Sequence, residues 1–204
     1  MTHLERALRE SAPRGDADAA ALAARRVAAR AAEEGGADIA YAIVPSPLGA
    51  LGGVCSRRGL LCLSYRVERL DELLDVLAGA LSPRIVESPA RLDAVARQLE
   101  EYFAGRRQRF ELPIDWSLAR GFARRVLRAT ADVPYGNATT YTEIAGRAGS
   151  PLAVRAAGNA LAANPVPIVV PCHRVLRVGG GLGGYAGGLE RKRFLLELEG
   201  APEG

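Results

Sequence analysis

The chain has 204 residues, 49% of them hydrophobic and 25% charged, with a formal net charge of +4; this is the composition of an ordinary globular protein with enough length for one large or two small domains. No stretch approaches the ~18 uninterrupted apolar residues of a membrane span, and Met1 to Glu10 holds no apolar signal-peptide core, so a cytoplasmic protein without membrane attachment is expected. Three cysteines, Cys55, Cys62 and Cys172, are an odd number in such a chain, which disfavours a disulfide framework and suits a reducing compartment.

Residues 1–37 are rich in Ala and Arg, and a helix is predicted over Asp16 to Glu34, closed by Gly35-Gly36. Arg25, Arg26 and Arg30 are offset there by Asp16, Asp18, Glu33 and Glu34, which fits a loosely attached helix or tail better than a nucleic-acid arm. From Ile39 the pattern changes to short strands, Ile39 to Val44, Ala50 to Cys55 and Leu60 to Tyr65, joined by turns at Pro45 to Gly49 and Arg57 to Gly59. This predicts a small antiparallel meander. Cys55 and Cys62 fall inside its strands without nearby histidines and read as core residues, not metal ligands. Helices are expected over Leu70 to Leu81 and Ala90 to Phe103, the second with Leu92, Val95, Leu99 and Phe103 at helical spacing. The extended stretch from Phe110 to Trp116, containing Pro113, reads as a linker.

The second half is more basic: residues 118–204 hold 11 Arg/Lys against 6 Asp/Glu, whereas residues 1–117 hold 16 against 17. A polyanionic partner and a plain solvated surface explain that balance equally well. Leu118 to Ala131 reads as a helix with Phe122, Val126 and Ala129 on one face and Arg120, Arg124 and Arg128 on another. After a turn at Pro134 to Asn137, Thr140-Tyr-Thr-Glu143 fits a capping box and places Tyr141 in the first turn of a short helix that ends near Gly146 to Gly149. Ser150 and Pro151 are expected as N-cap and first residue of a further helix to Ala163, completing a helix-turn-helix pattern. In that helix only Arg155 and Asn159 are long or polar. A base-reading helix needs several such side chains, so a smooth helix pressed into a groove with one arginine wedge, or an Ala-rich helix buried between others, are the two readings left.

Val166, Ile168, Val169 and Val170 then predict a buried strand ended by Pro171, which delivers Cys172 on a rigid element. A thiol punctuated in this way reads as a positioned nucleophile. His173 adjoins it, but neighbours in an extended chain point to opposite sides, so a water bridge between the two is the simpler geometry.

Together, Arg155, Asn164-Pro-Val-Pro167, Pro171-Cys-His-Arg-Val175 and Gly183-Gly-Tyr185-Ala-Gly-Gly188 resemble the motifs of the O6-alkylguanine-DNA alkyltransferases, also called methylated-DNA–protein-cysteine methyltransferases. The resemblance runs motif by motif over residues 121–200, is compatible with the family's N-terminal domain over 38–117, and leaves 1–37 outside. It implies an α+β fold: an N-terminal extension (1–37), a small N-terminal antiparallel-sheet α/β domain (38–117), and a mainly helical helix-turn-helix DNA-binding domain carrying the active-site cysteine (118–204). It implies direct-reversal repair of double-stranded DNA containing alkylated bases, in which a methyl or other alkyl group passes from a flipped-out O6-alkylguanine, or an O4-alkylthymine, to Cys172 once and irreversibly. A monomer with no cofactor and no metal is expected.

By resemblance, Cys172 is the acceptor, His173 its base, Glu199 the carboxylate that orients the imidazole, Asn164 the brace of the cysteine turn and Tyr141 the acid that helps guanine leave. Arg155 occupies the vacated stack, Asn159 and Ala156 share the DNA-facing helix with Tyr141 beside it, and Leu161, Val175, Tyr185 and Ala186 form the alkylguanine pocket. The chemistry agrees: displacing guanine from an alkyl carbon requires a soft thiolate, and the departing base must be protonated. Ala186 stands where several members carry a serine able to hydrogen-bond the base oxygen, a contact that a backbone N–H can supply instead, and Ala162 stands where some have arginine. Residues 1–50 contain no cysteine, so the cysteine-ligated zinc domain of the family's bifunctional members is not expected. A non-catalytic binder of alkylated DNA, a helix-turn-helix regulator and a thiol hydrolase are the competing readings; the first replaces the cysteine, the second needs a base-reading helix, and the third needs an oxyanion hole and turnover.

Overall fold

The computed structural model describes residues 36–201, so the helix expected over Asp16 to Glu34 lies outside the described residues. The chain enters through β1 (Ile39–Val44), β2 (Leu51–Ser56) and β3 (Gly59–Ser64), which pair antiparallel in sequence as the meander requires. A fourth strand, β4 (Ile85–Glu87), returns after helix α1 (Leu70–Ala80) and pairs parallel with β1, so the sheet is mixed, in the order β3-β2-β1-β4. With three residues, β4 is too short to show an alternating pattern in sequence.

The two faces of this sheet bury different clusters because side chains alternate along each strand, except at a bulge between β2 and β3 that leaves the neighbours Leu61 and Cys62 in one cluster. One face presents Ile39, Val54, Leu61 and Cys62 to Leu70 and Leu77 of α1. The other presents Ala40, Ala42, Val44, Cys55 and Leu63 to Leu92 and to helix α2 (Asp93–Phe103), through Val95, Leu99 and Tyr102. A 3-10 turn at Pro89–Leu92 precedes α2, so that helix begins three residues later than Ala90. Tyr102 and not Phe103 is its fully buried aromatic.

The segment read as a linker is pinned to the sheet. Leu60 N–H donates to the Pro113 carbonyl at 2.8 Å, and Asp115 N–H donates to the Leu60 carbonyl at 2.9 Å. Gly59 permits the approach: at φ +132 it lies where a Cβ would sit 2.1 Å from the Pro113 oxygen. The chain then forms helix α3 (Gly121–Ala131), strand β5 (Thr139–Thr140), helices α4 (Tyr141–Arg147) and α5 (Val154–Ala162), strand β6 (Val175–Leu176) and helix α6 (Leu189–Glu199). Val126, Leu127, Ile144, Ala157, Leu161 and Leu195 join the cluster that α2 packs on, so both halves share one core.

The capping box forms as expected: Thr140 Oγ1 accepts from Glu143 N–H at 3.2 Å, and Glu143 Oε2 accepts from Thr140 N–H at 3.0 Å. The next helix begins at Val154 and not at Pro151. Ser150 is used to end α4, its N–H donating to the Ala145 carbonyl while left-handed Gly149 donates to Gly146, and a turn through Pro151 and Leu152 reorients the chain before α5 starts. This makes the helix-turn-helix. Among the described residues no helix is long and apolar enough to cross a membrane.

Candidate active site

The residues before Cys172 form a looped turn in place of the expected strand. Pro165, Pro167 and Pro171 lack the N–H groups a ladder needs, and the chain folds on itself, with Val170 N–H donating to the Val166 carbonyl at 2.9 Å. Ile168 takes φ 74, a left-handed conformation that costs a β-branched residue about 1–3 kcal/mol. Pro171, at φ −81 and ψ 63, then centres an inverse γ-turn closed by Cys172 N–H on the Val170 carbonyl at 2.8 Å. Asn164 holds the strained loop together. Its Oδ1 accepts from Val166 N–H at 3.0 Å, and its Nδ2 donates to the Val170 carbonyl at 2.9 Å and to Cys172 Sγ at 3.1 Å. The outer strand of the sheet adds a further tie, Leu63 N–H to the Pro165 carbonyl at 2.8 Å.

Cys172 opens a 3-10 turn, Cys172–Arg174, and is 4% exposed. Burial pushes its thiol up to about 11, against the opposing pull of the Asn164 amide and the Lys192 charge. His173 and Glu199 are also buried, and His173 Nε2 lies 2.8 Å from Glu199 Oε1. Because the carboxylate only accepts, Nε2 carries the hydrogen and Nδ1 keeps its lone pair; Nδ1 is buried and has no hydrogen-bond partner within the protein. Burial holds the imidazole below its ordinary value despite the carboxylate.

Glu199 is placed by the end of α6, where left-handed Gly200 stops the helix and Ala201 N–H donates back to Leu196. Its Oε2 accepts from Arg174 Nε at 2.8 Å and its Oε1 from Arg174 Nη2 at 2.9 Å and from the Tyr102 hydroxyl at 2.6 Å. Burial opposes the charge, but the His173 and Arg174 hydrogen bonds outweigh it and hold the carboxyl at about 2.

Tyr141 stands at the start of α4, half-buried, between Gly158 of α5 and the glycine-rich loop, its hydroxyl 3.4 Å from the Gly184 carbonyl. Burial and the nearby Cys172 raise its phenol, so the proton stays on oxygen at neutral pH. Arg155, Ala156 and Asn159 lie exposed along α5. Leu161 and Val175 are buried in the shared core. Tyr185 sits edge-on to the His173 ring with centroids 6.4 Å apart, and its hydroxyl is 2.7 Å from that of Tyr65. Ala186 is exposed and, with Tyr65, Asn164 and Pro167, lines a groove of about 450 Å³. Asn164–Cys172 and His173–Glu199 are thus two hydrogen-bonded pairs joined through the chain at Cys172 and His173, Tyr141 and Tyr185 flank them, and the α5 residues face outward.

Several residues with no earlier assignment complete the cluster. Arg174, Tyr102, Tyr65 and Lys192 all reach it or its loop. Lys192, fully buried, donates from Nζ to the carbonyls of Val175, at 2.7 Å, and Leu182, clamping β6 to the glycine-rich loop; burial lowers its ammonium to about 8. Inside Arg191-Lys-Arg193 it reads as one of three solvated cations. Its spacing was the available signal, since Lys192, Leu195, Leu196 and Glu199 share one buried face of α6. Among the described residues no group of three or more His, Cys, Asp or Glu is gathered to hold a metal ion.

A helix-turn-helix carrying a smooth, outward-facing helix, packed beside a buried Cys–His–Glu cluster, has the form of a DNA-binding domain built around a thiol. Residues 121–201 match the DNA-binding domain of 6-O-methylguanine DNA methyltransferase, and residues 39–116 match its ribonuclease-like domain. A methylated-DNA–protein-cysteine methyltransferase of Mycolicibacterium paratuberculosis is 48% identical over 165 residues, covering 79% of this chain and 92% of that protein. The inducible enzyme of that name from Bacillus subtilis is 42% identical over 146 residues, covering 70% and 79%. The crystal structure of Mycobacterium tuberculosis OGT in complex with DNA superposes with a TM-score of 0.66 at 37% identity, covering 80% of this chain and 95% of that one. The chain belongs to the methylated-DNA–protein-cysteine methyltransferases, DNA-repair enzymes that pass an alkyl group from DNA to a protein cysteine.

Proposed function

We propose that the protein repairs O6-alkylguanine, and by the same chemistry O4-alkylthymine, in double-stranded DNA by moving the alkyl group to Cys172 Sγ in one irreversible step. It works as a cytoplasmic monomer whose residues 118–204 bind DNA and whose residues 38–117 support the site. The observation that carries this reading is the buried thiol held by Asn164 beside a His173–Glu199 pair whose Nδ1 lone pair is unspent.

The α5 helix enters the minor groove with Ala156 and Asn159 against the backbone, and Arg155 fills the stack that the damaged base leaves. Flipping costs a few kcal/mol, less for a poorly paired alkylated base, which favours damaged sites. Leu161, Val175, Tyr185 and Ala186 wall the base. At about 11 the resting thiol is protonated at neutral pH, so the nucleophile is made in place: the S–H proton passes through one water to His173 Nδ1, and Glu199 stabilises the imidazolium. The thiolate attacks the alkyl carbon, the carbon–oxygen bond breaks, and the electron pair leaves on guanine, which takes a proton from the Tyr141 hydroxyl. A thioether remains. Nothing in the cluster hydrolyses it, so each molecule acts once.

Two variants separate binding from chemistry. Cys172→Ala abolishes transfer from an O6-methylguanine duplex and keeps its affinity for that duplex, whereas Arg155→Ala weakens flipping and affinity together. Equal loss of affinity in both variants contradicts this division of roles.

A further inference from the structure

Tyr102 belongs to the N-terminal half, yet its side chain ends in the cysteine cluster. It lies on the buried face of α2 with Val95, Gln98 and Leu99 and is wholly enclosed, its ring 5.3 Å from Phe103, 5.2 Å from Phe110 and 6.1 Å from Tyr135 between centroids. A phenol sealed among aromatic rings needs an acceptor. Across 97 residues of sequence it finds one, Glu199 Oε1 at 2.6 Å, the same oxygen that accepts from His173 Nε2 at 2.8 Å.

We propose that Tyr102 is a positioning residue for alkyl transfer, supplied by the N-terminal domain, and that its hydroxyl sets how much of the Glu199 charge reaches His173. This rests on the assignment of Cys172, His173 and Glu199 above. Oε1 is shared by three donors, Tyr102, His173 and Arg174, and each draws electron density from it. Burial pushes the Tyr102 phenol far up, so its hydrogen stays on its own oxygen and no proton is exchanged. The other groups facing the pair are Arg174 and Lys192, whose charges oppose protonation of His173, with Cys172 next in the chain and the Tyr185 ring edge-on. Tyr135, which donates from its hydroxyl to the Leu198 carbonyl, lies behind Arg174. Removing the Tyr102 donor leaves Oε1 more negative, and His173 then holds a proton more tightly. A histidine already protonated cannot accept from Cys172, so the acid limb of the reaction moves to higher pH. The N-terminal domain thereby does more than pack: it tunes the base.

The test is the single-turnover rate of methyl transfer from an O6-methylguanine duplex, measured against pH for wild type and Tyr102→Phe, which deletes one oxygen and keeps the ring. The limb is expected to move up by roughly half a pH unit or more, a loss of about threefold at fixed pH on the limb, with the plateau little changed. Adding Tyr102→Phe to Glu199→Gln moves nothing further. Phe110→Leu, which loosens the same aromatic packing without touching the carboxylate, leaves the limb in place. Superposed limbs, a shift to lower pH, or a uniform loss of rate at every pH overturns the inference alone. A wild-type protein that places no methyl on Cys172 overturns it together with the assignment it rests on.

Discussion

Adding one methyl group to Gly183 tests the role given to Tyr141 without touching Tyr141. A Cβ on Gly183 would lie 2.6 Å from the Tyr141 hydroxyl oxygen, 2.9 Å from Cε2 and 3.2 Å from Cζ, and Gly183 sits at φ +66. Carbon–oxygen contact needs more than 3 Å, so the phenol must move by several tenths of an ångström to about one ångström. On its other side the ring faces Gly158, where even an added Cβ would lie 3.9 Å away, so there is room for that shift. The left-handed backbone costs Ala about 1–2 kcal/mol and the overpacking about 1–3 kcal/mol, which together lower the melting temperature by roughly 5–15 °C. A displacement near one ångström in a general acid costs up to about 100-fold in rate. The assay is single-turnover methyl transfer from an O6-methylguanine duplex, run below the melting transition for Gly183→Ala, Tyr141→Phe and the double variant. Because both changes remove the same proton donor, the double variant should be no more than a few-fold slower than the slower single one. Wild-type rate in Gly183→Ala, or losses that multiply in the double variant, would refute the assignment of Tyr141.

Two further outcomes concern pH. Burial holds His173 below the ordinary imidazole value of ~6.5, so the transfer rate should stay level down through that pH and fall only below it; a limb above ~6.5 contradicts the relay. Glu199 titrates at about 2 in the folded protein against 4.5 for the free group, so its contribution to stability is complete above 4.5 and is lost as pH falls towards 2, readable as a falling melting temperature over that window. Glu199→Gln should remove this acid dependence and, by stranding the buried Arg174 charge, cost about 3–5 kcal/mol at neutral pH; an unchanged acid profile contradicts the depressed carboxyl.

What could be read from the chain alone followed the range of the interactions involved. The capping box at Thr140 and Glu143 was legible because both partners lie within one turn, and it placed Tyr141 to the residue. Asn164 and the Pro-Cys-His-Arg turn were legible as a rigid holder for a thiol, but the type of element was not. Three prolines forbid a ladder, and the left-handed Ile168 that makes the loop possible leaves no mark in an apolar run. Helix α5 began later than expected because Ser150 to Ala153 form a tight turn of their own, Ala153 N–H donating to the Ser150 carbonyl, which spacing alone does not resolve. Tyr102 and Glu199 are 97 residues apart, and no local pattern joins a helix in one half to a helix end in the other. Tyr65 and Tyr185 are separated by 120 and were equally hidden. Resemblance supplied Glu199, since a carboxylate near a C-terminus is otherwise unremarked, but it assigned nothing to the residues that crowd around that carboxylate.

Cys172 Sγ is the atom proposed to receive the alkyl group. The direct measurement is peptide mapping by mass spectrometry after incubation with a duplex carrying O6-methylguanine. A methyl group on the peptide that contains Cys172, at no more than one equivalent per protein, with guanine restored in the DNA, is the predicted result. Restored guanine with an unmodified Cys172, methyl on Cys55 or Cys62 instead, or repair of many equivalents by one molecule would contradict it.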